Sequence, residues 1–271
     1  MFDYANFRFN KRYGQNFLSD RNLLSAIATD AGVTAEDTVL EIGAGAGALT
    51  EVLAERAKRV VAYEIDERLE DVLAERFRDK PNVEIVIADF MKASDAEIRE
   101  RAGEKFKVIA NIPYYITTPI VMRFVEGKGA ESVTVTVQKE VGLRFTANPG
   151  TADYGAVTAA IALRGEAKLT RNISRKLFYP VPDVDSCVVN VVLSDKYPEE
   201  TVKAAMKFVK CGFMMRRKTL VNNMKSAFGM DKERAAALLR KIGFAENVRG
   251  ETLSPDDYVR LAQVCAESDV Y

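Results

Sequence analysis

Between Thr38 and Gln138, five short runs rich in β-branched residues (38–42, 59–63, 83–88, 107–110 and 132–137) alternate with stretches of helical composition at 47–57, 67–78 and 117–125. Strands with apolar residues on both faces must be covered on both, and strands that alternate with helices are joined by right-handed crossovers. The pattern therefore predicts a mostly parallel sheet wound on both sides by helices. Beyond it, residues 154–164 read as a helix, and 166–174 and 187–193 read as strands able to extend the sheet. Between those strands lies Phe178-Tyr179-Pro180-Val181-Pro182, whose prolines predict an extended loop and not a strand interior. Strand signals stop around residues 194–198. Turn signals at Gly229 and Gly243, and a helix start at Ser254-Pro255-Asp256-Asp257, mark the remainder as helical. The reading is a doubly wound α/β domain over residues 1–195 and a small all-helical domain over 196–271.

Composition narrows the function. Of 271 residues, 48% are hydrophobic, ample for a sizeable core. No apolar stretch reaches the length of a membrane span and no basic-then-apolar leader opens the chain, so a cytoplasmic protein is expected. The three cysteines, Cys187, Cys211 and Cys265, are far apart and form no CxxC, which argues against a zinc site and a disulfide framework. There is no histidine, so any chemistry proceeds without imidazole as base or ligand. Basic and acidic residues balance at 39 each, but the window 203–241 carries eleven Lys/Arg against Asp231 and Glu233. That window is a candidate phosphate-facing surface. Lys203, Lys207 and Lys210 recur in it at helical spacing.

Three features sit where open α/β sheets bind ligands, beyond the carboxyl ends of strands. Glu41-Ile42-Gly43-Ala44-Gly45-Ala46-Gly47 follows the first run and opens a helix, so its glycines let backbone approach a ligand closely. Glu64 ends the second run at the offset of a ribose contact, which also keeps a dinucleotide-binding dehydrogenase open. Asp89 ends the third run, and a carboxylate there can accept from an adenine amino group, with Phe90 or its neighbours flanking the ring. The fourth run leads into Asn111-Ile112-Pro113-Tyr114, ahead of a helix start at Thr117-Thr118-Pro119. An amide, a rigid turn and an aromatic ring side by side suit a flat exocyclic amine.

In this order the residues resemble a Rossmann-like S-adenosylmethionine-dependent methyltransferase acting on an adenine amine. Gly14-Gln15-Asn16-Phe17-Leu18, Gln138-Lys139-Glu140-Val141, the stretch from Phe178 to Ser186, and Phe213-Met214-Met215-Arg216-Arg217-Lys218-Thr219-Leu220 extend the likeness over nearly the whole chain. They are similar to the KsgA-type small-subunit ribosomal RNA adenine dimethyltransferases. The resemblance implies dimethylation of two adjacent adenosines in a hairpin near the 3′ end of 16S rRNA, on the assembling small subunit. It also implies that Asn16, Leu18, Gly43, Gly45, Glu64, Asp89 and Asn111 contact S-adenosylmethionine, Glu64 at the ribose and Asp89 at the adenine. Asn16 and Leu18 rest on the resemblance alone, since the residues themselves read as an N-terminal turn.

Asn111, Ile112, Pro113, Tyr114 and Phe178 are the expected catalytic set. The Asn111 side-chain oxygen and a main-chain carbonyl near Ile112 or Pro113 would accept the amine hydrogens, and Tyr114 and Phe178 would stack on the two faces of an extruded base. Lys210, Arg216, Arg217 and Lys218 are the expected RNA contacts. Consecutive residues on a helix point in different directions, so at most two of the last three could meet one phosphate strand. Phe7, Arg8, Phe9, Lys11, Arg12 and Tyr13 mix basic and aromatic groups as an RNA-contacting arm does. No metal and no membrane are expected, and the chain is expected to be a monomer. A large-subunit enzyme of the macrolide-resistance kind shares the Asn-Phe-Leu and Asn-Ile-Pro-Tyr elements. The Arg-Arg-Lys-Thr-Leu stretch favours the small-subunit type.

Overall fold

A computed structural model describes residues 14–267, which form two compact units, residues 14–142 with 168–193 and residues 143–167 with 194–267. In chain order the elements are β1 (Phe17–Leu18), α1 (Arg21–Asp30), β2 (Thr38–Ile42), α2 (Ala48–Ala54), β3 (Arg59–Glu64), α3 (Glu70–Phe77), β4 (Val83–Ile87), α4 (Asp95–Ala102), β5 (Phe106–Ala110), α5 (Tyr114–Glu126), β6 (Ala130–Gln138) and α6 (Lys139–Phe145). Then follow α7 (Ala156–Arg164), β7 (Gly165–Ile173), β8 (Phe178–Tyr179), β9 (Ser186–Leu193), α8 (Glu199–Met214), α9 (Leu220–Phe228), α10 (Lys232–Lys241) and α11 (Pro255–Glu267).

The first unit is built on a seven-stranded sheet in the order β4-β3-β2-β5-β6-β9-β7. The pairs from β4 through β6 are parallel and β9 returns antiparallel to β6. Val39, Leu40, Val60, Val61, Val108, Val133 and Val135 are fully buried, and covering each from water contributes about 1.5–3 kcal/mol. The strand order reverses at β2, beside β5, so the loops after β2 and β5 open a crevice at that edge. Helix starts are fixed locally: the Asp20 carboxylate accepts from the N–H groups of Asn22 and Leu23 to begin α1, and the Ser94 hydroxyl accepts from Glu97 N–H to begin α4.

Three local features depart from the sequence reading. α5 begins at Tyr114, not near Thr117, so Tyr114 is the first residue of a helix and Pro119 lies inside it. Pro113, with its fixed φ, serves as the helix N-cap. Second, Phe178 and Tyr179 are a strand, paired antiparallel with β1 as Leu18↔Phe178 and Phe17↔Tyr179, and the prolines begin only after it. The N-terminal turn expected at Asn16–Leu18 is thus half of a two-stranded ribbon. Third, α8 ends at Met214, so Arg216, Arg217 and Lys218 occupy the turn before α9 and the helical-face argument does not apply to them.

The second unit gathers α7 with α8 to α11. The sequence reading drew the division near residue 195, yet residues 143–167 pack with the later helices. The Tyr154 hydroxyl donates to the Leu253 carbonyl at 3.0 Å in the interior, and its ring meets Phe213 edge-on at 5.6 Å. Cys187, Cys211 and Cys265 are free thiols, all buried. No described helix is long and apolar enough to cross a membrane.

Candidate active site

A cleft holding about 970 Å³ of free space, part of it open to solvent, lies at the carboxyl ends of β2 to β5. Asn16, Leu18, Gly43, Gly45, Glu64, Asp89, Asn111, Ile112 and Pro113 all line it. Residues scattered over about a hundred positions meet there because each follows or ends a parallel strand, or lies in or just before the ribbon strand β1.

The glycine loop forms one wall. Gly43 has φ +84°, and a Cβ on it would stand 2.9 Å from Ile112 Cγ2 and 3.1 Å from the Asn111 carbonyl oxygen. Gly45 has φ +56°, and a Cβ there would stand 2.6 Å from the Phe17 ring. Only glycine satisfies both the left-handed backbone and the close approach at these positions.

Glu64, almost fully buried, braces that wall. Its carboxylate accepts from Gly45 N–H at 2.6 Å through one oxygen and from Asp66 N–H at 2.9 Å through the other. Burial raises its pKa, while those two N–H bonds pull the other way. Each oxygen retains acceptor capacity for a donor in the cleft. Asp89 caps the short turn at Phe90–Lys92 by accepting from Met91 N–H at 3.0 Å, and it lines the cleft as well. Phe90 is spent largely on the core, against Tyr63 at 5.2 Å and Phe124 at 5.9 Å. Its neighbour Met91, together with Ile65, presents exposed apolar surface at the cleft.

Beneath the loop Glu41 is fully buried, with the Thr50 hydroxyl as its polar neighbour. Burial pushes its carboxyl up to about 8, against the opposing pull of the Thr50 hydroxyl and with a smaller push from the nearby Glu64 charge.

At the far wall, the Asn111 side-chain amide has no partner among the described residues. The Pro113 carbonyl is already engaged by Ile116 N–H at 3.1 Å and the Thr117 hydroxyl at 3.3 Å. The Ile112 carbonyl accepts nothing among the described residues, so of the two main-chain candidates it is the one available to a ligand. Tyr114 does not line the cleft; it is half-buried, with its hydroxyl 2.7 Å from the Ser186 hydroxyl. Tyr115, 66% exposed, lines the cleft instead. Phe178 is 3% exposed and sits in the core with Phe17, Leu18 and Leu24, while Tyr179 beside it is exposed.

Sequence reasoning met Gln15 and Ser186 only inside motifs and gave them no role, and it passed over Ile65, Asp66 and Met91. Asp66 lies two residues beyond Glu64, a spacing that offers its N–H to the Glu64 carboxylate, and this was the one local signal available.

Of the expected RNA contacts, Lys210 is exposed on α8, on the same side as Lys203 and Lys207, while Phe208 and Cys211 turn inward. Arg216 Nε lies 3.4 Å from Glu251, and its Nη2 donates to the carbonyls of Ala152 and Tyr154 at 3.3 and 3.5 Å. Arg217 and Lys218 are exposed and have no ion-pair partner among the described residues. The basic excess of this window is reduced by acids outside it: Lys203 pairs with Glu199 and Glu200, and Arg240 with Glu246. Residues 1–13, with the aromatic and basic arm, lie outside the described residues. Among the described residues no group of three or more His, Cys, Asp or Glu side chains is placed to hold a metal ion.

This cleft suits a nucleoside cofactor with a short charged tail. It offers a buried carboxylate with spare acceptor capacity at Glu64, a second carboxylate at Asp89 between apolar neighbours, and glycine backbone packed too closely for any side chain.

Comparison with known proteins gives the same picture. A family model described as "Ribosomal RNA adenine dimethylase" matches residues 6–267. The chain is 42% identical over 257 residues to ribosomal RNA small subunit methyltransferase A of Caldanaerobacter subterraneus, covering 93% of this chain and 95% of that protein. It is 41% identical to the protein of that name from Ligilactobacillus salivarius, over 97% and 92%. Among solved structures, the 23S rRNA methyltransferase ErmE aligns with a TM-score of 0.72 at 30% identity, covering 92% of this chain and 99% of that one. A Plasmodium falciparum dimethyladenosine transferase has the same fold, with a TM-score of 0.80 at 24% identity over 94% and 98%. With its sheet order, its cleft and these relatives, the chain belongs to the ribosomal RNA adenine dimethylase family, S-adenosylmethionine-dependent methyltransferases of Rossmann-like fold.

Proposed function

We propose that this protein dimethylates the exocyclic amines of two adjacent adenosines in a hairpin near the 3′ end of 16S rRNA, as a step of small-subunit assembly. The observation that carries the reading is the pair of uncommitted acceptors at the end of β5, the Asn111 side-chain oxygen and the Ile112 carbonyl, beside a cleft shaped for a nucleoside. When bound, S-adenosylmethionine supplies an electrophilic methyl group on a sulfonium. Glu64 suits the ribose hydroxyls and Asp89 the adenine amino group, with Asn16, Leu18, Gly43 and Gly45 enclosing the rest.

An adenine amine is a weak nucleophile because its lone pair is delocalised into the ring. Acceptance of one amine hydrogen by Asn111 and of the other by the Ile112 carbonyl draws the nitrogen toward tetrahedral geometry and aims the lone pair. The amine nitrogen would take the methyl as the methyl–sulfur bond breaks, leaving a neutral thioether, and the positively charged amine would then lose its surplus proton to water. No strong base is needed, in keeping with a chain that has no histidine. Tyr114 offers one stacking face. Phe178, which lies in the core beside the ribbon, is the proposed second face, at roughly 1–3 kcal/mol per stacked base to offset unstacking from the RNA. Lys210, Arg216, Arg217 and Lys218, on the helical unit, serve RNA docking, Arg217 and Lys218 having no acidic partner to displace. The protein acts as a monomer in the cytoplasm.

Identity of about 40% to small-subunit enzymes, against 30% to the 23S enzyme, favours the small subunit as substrate. Transfer of labelled methyl groups to unmethylated small subunits, large subunits and free RNA, followed by nucleoside analysis, tests it. Dimethyladenosine confined to the small subunit is expected. Label in the large subunit overturns the substrate, and no label anywhere overturns the activity.

A further inference from the structure

The hydroxyl of Ser186 does one thing in this structure. Ser186 is fully buried at the start of β9, and its side chain makes a single hydrogen bond among the described residues, the 2.7 Å contact with the Tyr114 hydroxyl. Tyr114 opens α5 directly after Asn111-Ile112-Pro113, so its backbone is set by the helix start. The ring, by contrast, can still swing about its side-chain torsions. A bond at the far end of the ring removes that freedom.

The anchor is itself rigid. Ser186 pairs with Gln138 at the end of the β6–β9 ladder. The residue before it is also tied down: the Asp185 carbonyl accepts from Lys139 N–H at 3.0 Å, and its carboxylate accepts from Arg175 N–H at 2.9 Å. A hydroxyl held on a strand end by a backbone ladder is a fixed point for the partner it bonds.

We infer that Ser186 is a positioning residue for methyl transfer, its hydroxyl fixing the Tyr114 ring in the orientation that receives the target base. The inference rests on the adenine-amine reading above. Ser186 touches neither cofactor nor substrate, and its effect passes through Tyr114. A buried tyrosine hydroxyl needs a partner in any case, so the experiment must separate satisfaction of a polar group from placement of a ring.

Three variants, Ser186→Ala, Tyr114→Phe and the double substitution, are assayed for dimethyladenosine formation on unmethylated small subunits, with cofactor binding and melting temperature measured alongside. Each single variant is expected to lose about tenfold in kcat, the order set by one hydrogen bond, with KM for S-adenosylmethionine unchanged. The double variant is expected to fall no further than either single one, because both remove the same contact. Retention of wild-type kcat by the single variants overturns the inference, as does a double variant whose loss is the product of two. Where Ser186→Ala fails to fold, Tyr114→Phe reads the same bond from its other end, and unchanged kcat there is equally decisive. A wild-type protein that leaves the small subunit unmethylated sinks the functional reading itself, which is a different result from an active wild type with indifferent variants.

Discussion

Gln15 donates through its side-chain amide to Asp66 at 2.8 Å, tying the segment that carries Asn16 and Leu18 to the turn just beyond Glu64. Two walls of the cleft are thereby joined by one bond. Burial by itself would raise the Asp66 carboxyl, but the bonds from Arg68 and Gln15 outweigh it and hold the group below the usual carboxylate range. Asp66 N–H in turn steadies Glu64. Gln15→Ala should weaken S-adenosylmethionine binding by roughly 2- to 10-fold, the worth of one such bond, while kcat at saturating cofactor stays within twofold. Calorimetric titration checks the first part, and an unchanged dissociation constant would show that the bond does not support the site.

Asn111→Ala removes an acceptor whose side chain bonds nothing else among the described residues. The melting temperature should therefore stay close to wild type. Activity on small subunits should drop by about 100- to 1,000-fold, as when a single preorganised polar group is lost from an active site. A stable variant with more than a tenth of wild-type activity would remove Asn111 from the mechanism.

Glu41 makes stability depend on pH. Its carboxyl titrates at about 8 in the folded protein against 4.5 when free, so the native state holds a proton that the unfolded chain has lost. Stability from this group is full below pH 4.5, declines as pH rises, and is gone above about 8. Glu41→Gln abolishes that dependence. Relative to wild type its stability should grow by up to about 1.4 kcal/mol per pH unit between pH 5 and 8. Urea midpoints at pH 5, 6.5 and 8 measure the gap, and a gap that stays constant across the series would mean Glu41 is ionised in the fold.

Arg217→Glu should weaken binding to the small ribosomal subunit at least tenfold while leaving affinity for S-adenosylmethionine unchanged. The salt dependence of particle binding should also become shallower, since a phosphate contact is lost. Equal loss of both affinities would remove Arg217 from RNA docking.

What the sequence revealed and what it concealed divide along physical lines. The parallel strands were legible because a strand buried on both faces is a dense apolar run, and Thr38–Ile42 is recovered residue for residue. The glycine loop, Glu64, Asp89 and Asn111 could be placed together because each terminates or follows such a run, and in this architecture strand ends share one crevice. Two-residue strands carry no periodicity, so the pairing of Phe17 with Tyr179 was invisible. So were the bonds Gln15–Asp66 and Tyr114–Ser186, each joining residues far apart in sequence. α8 stops at Met214 with neither glycine nor proline following it, and Gly212 lies inside the helix, which is why the Arg-Arg-Lys turn read as helix. The grouping of residues 143–167 with the C-terminal helices follows from Tyr154 reaching Leu253 and Phe213, and a helical pattern does not say which core it will join.

The ribbon of β1 and β8 also sets an order of events during folding. Its strands come from near the start and near the end of the first unit, and closing so long a loop carries an entropic cost that only later contacts repay. Phe17 and Leu18, which line the cleft, gain their strand partners only when Phe178 and Tyr179 arrive. A growing chain that has made only the five parallel strands thus holds a nucleoside crevice whose β1 wall still lacks its strand partner.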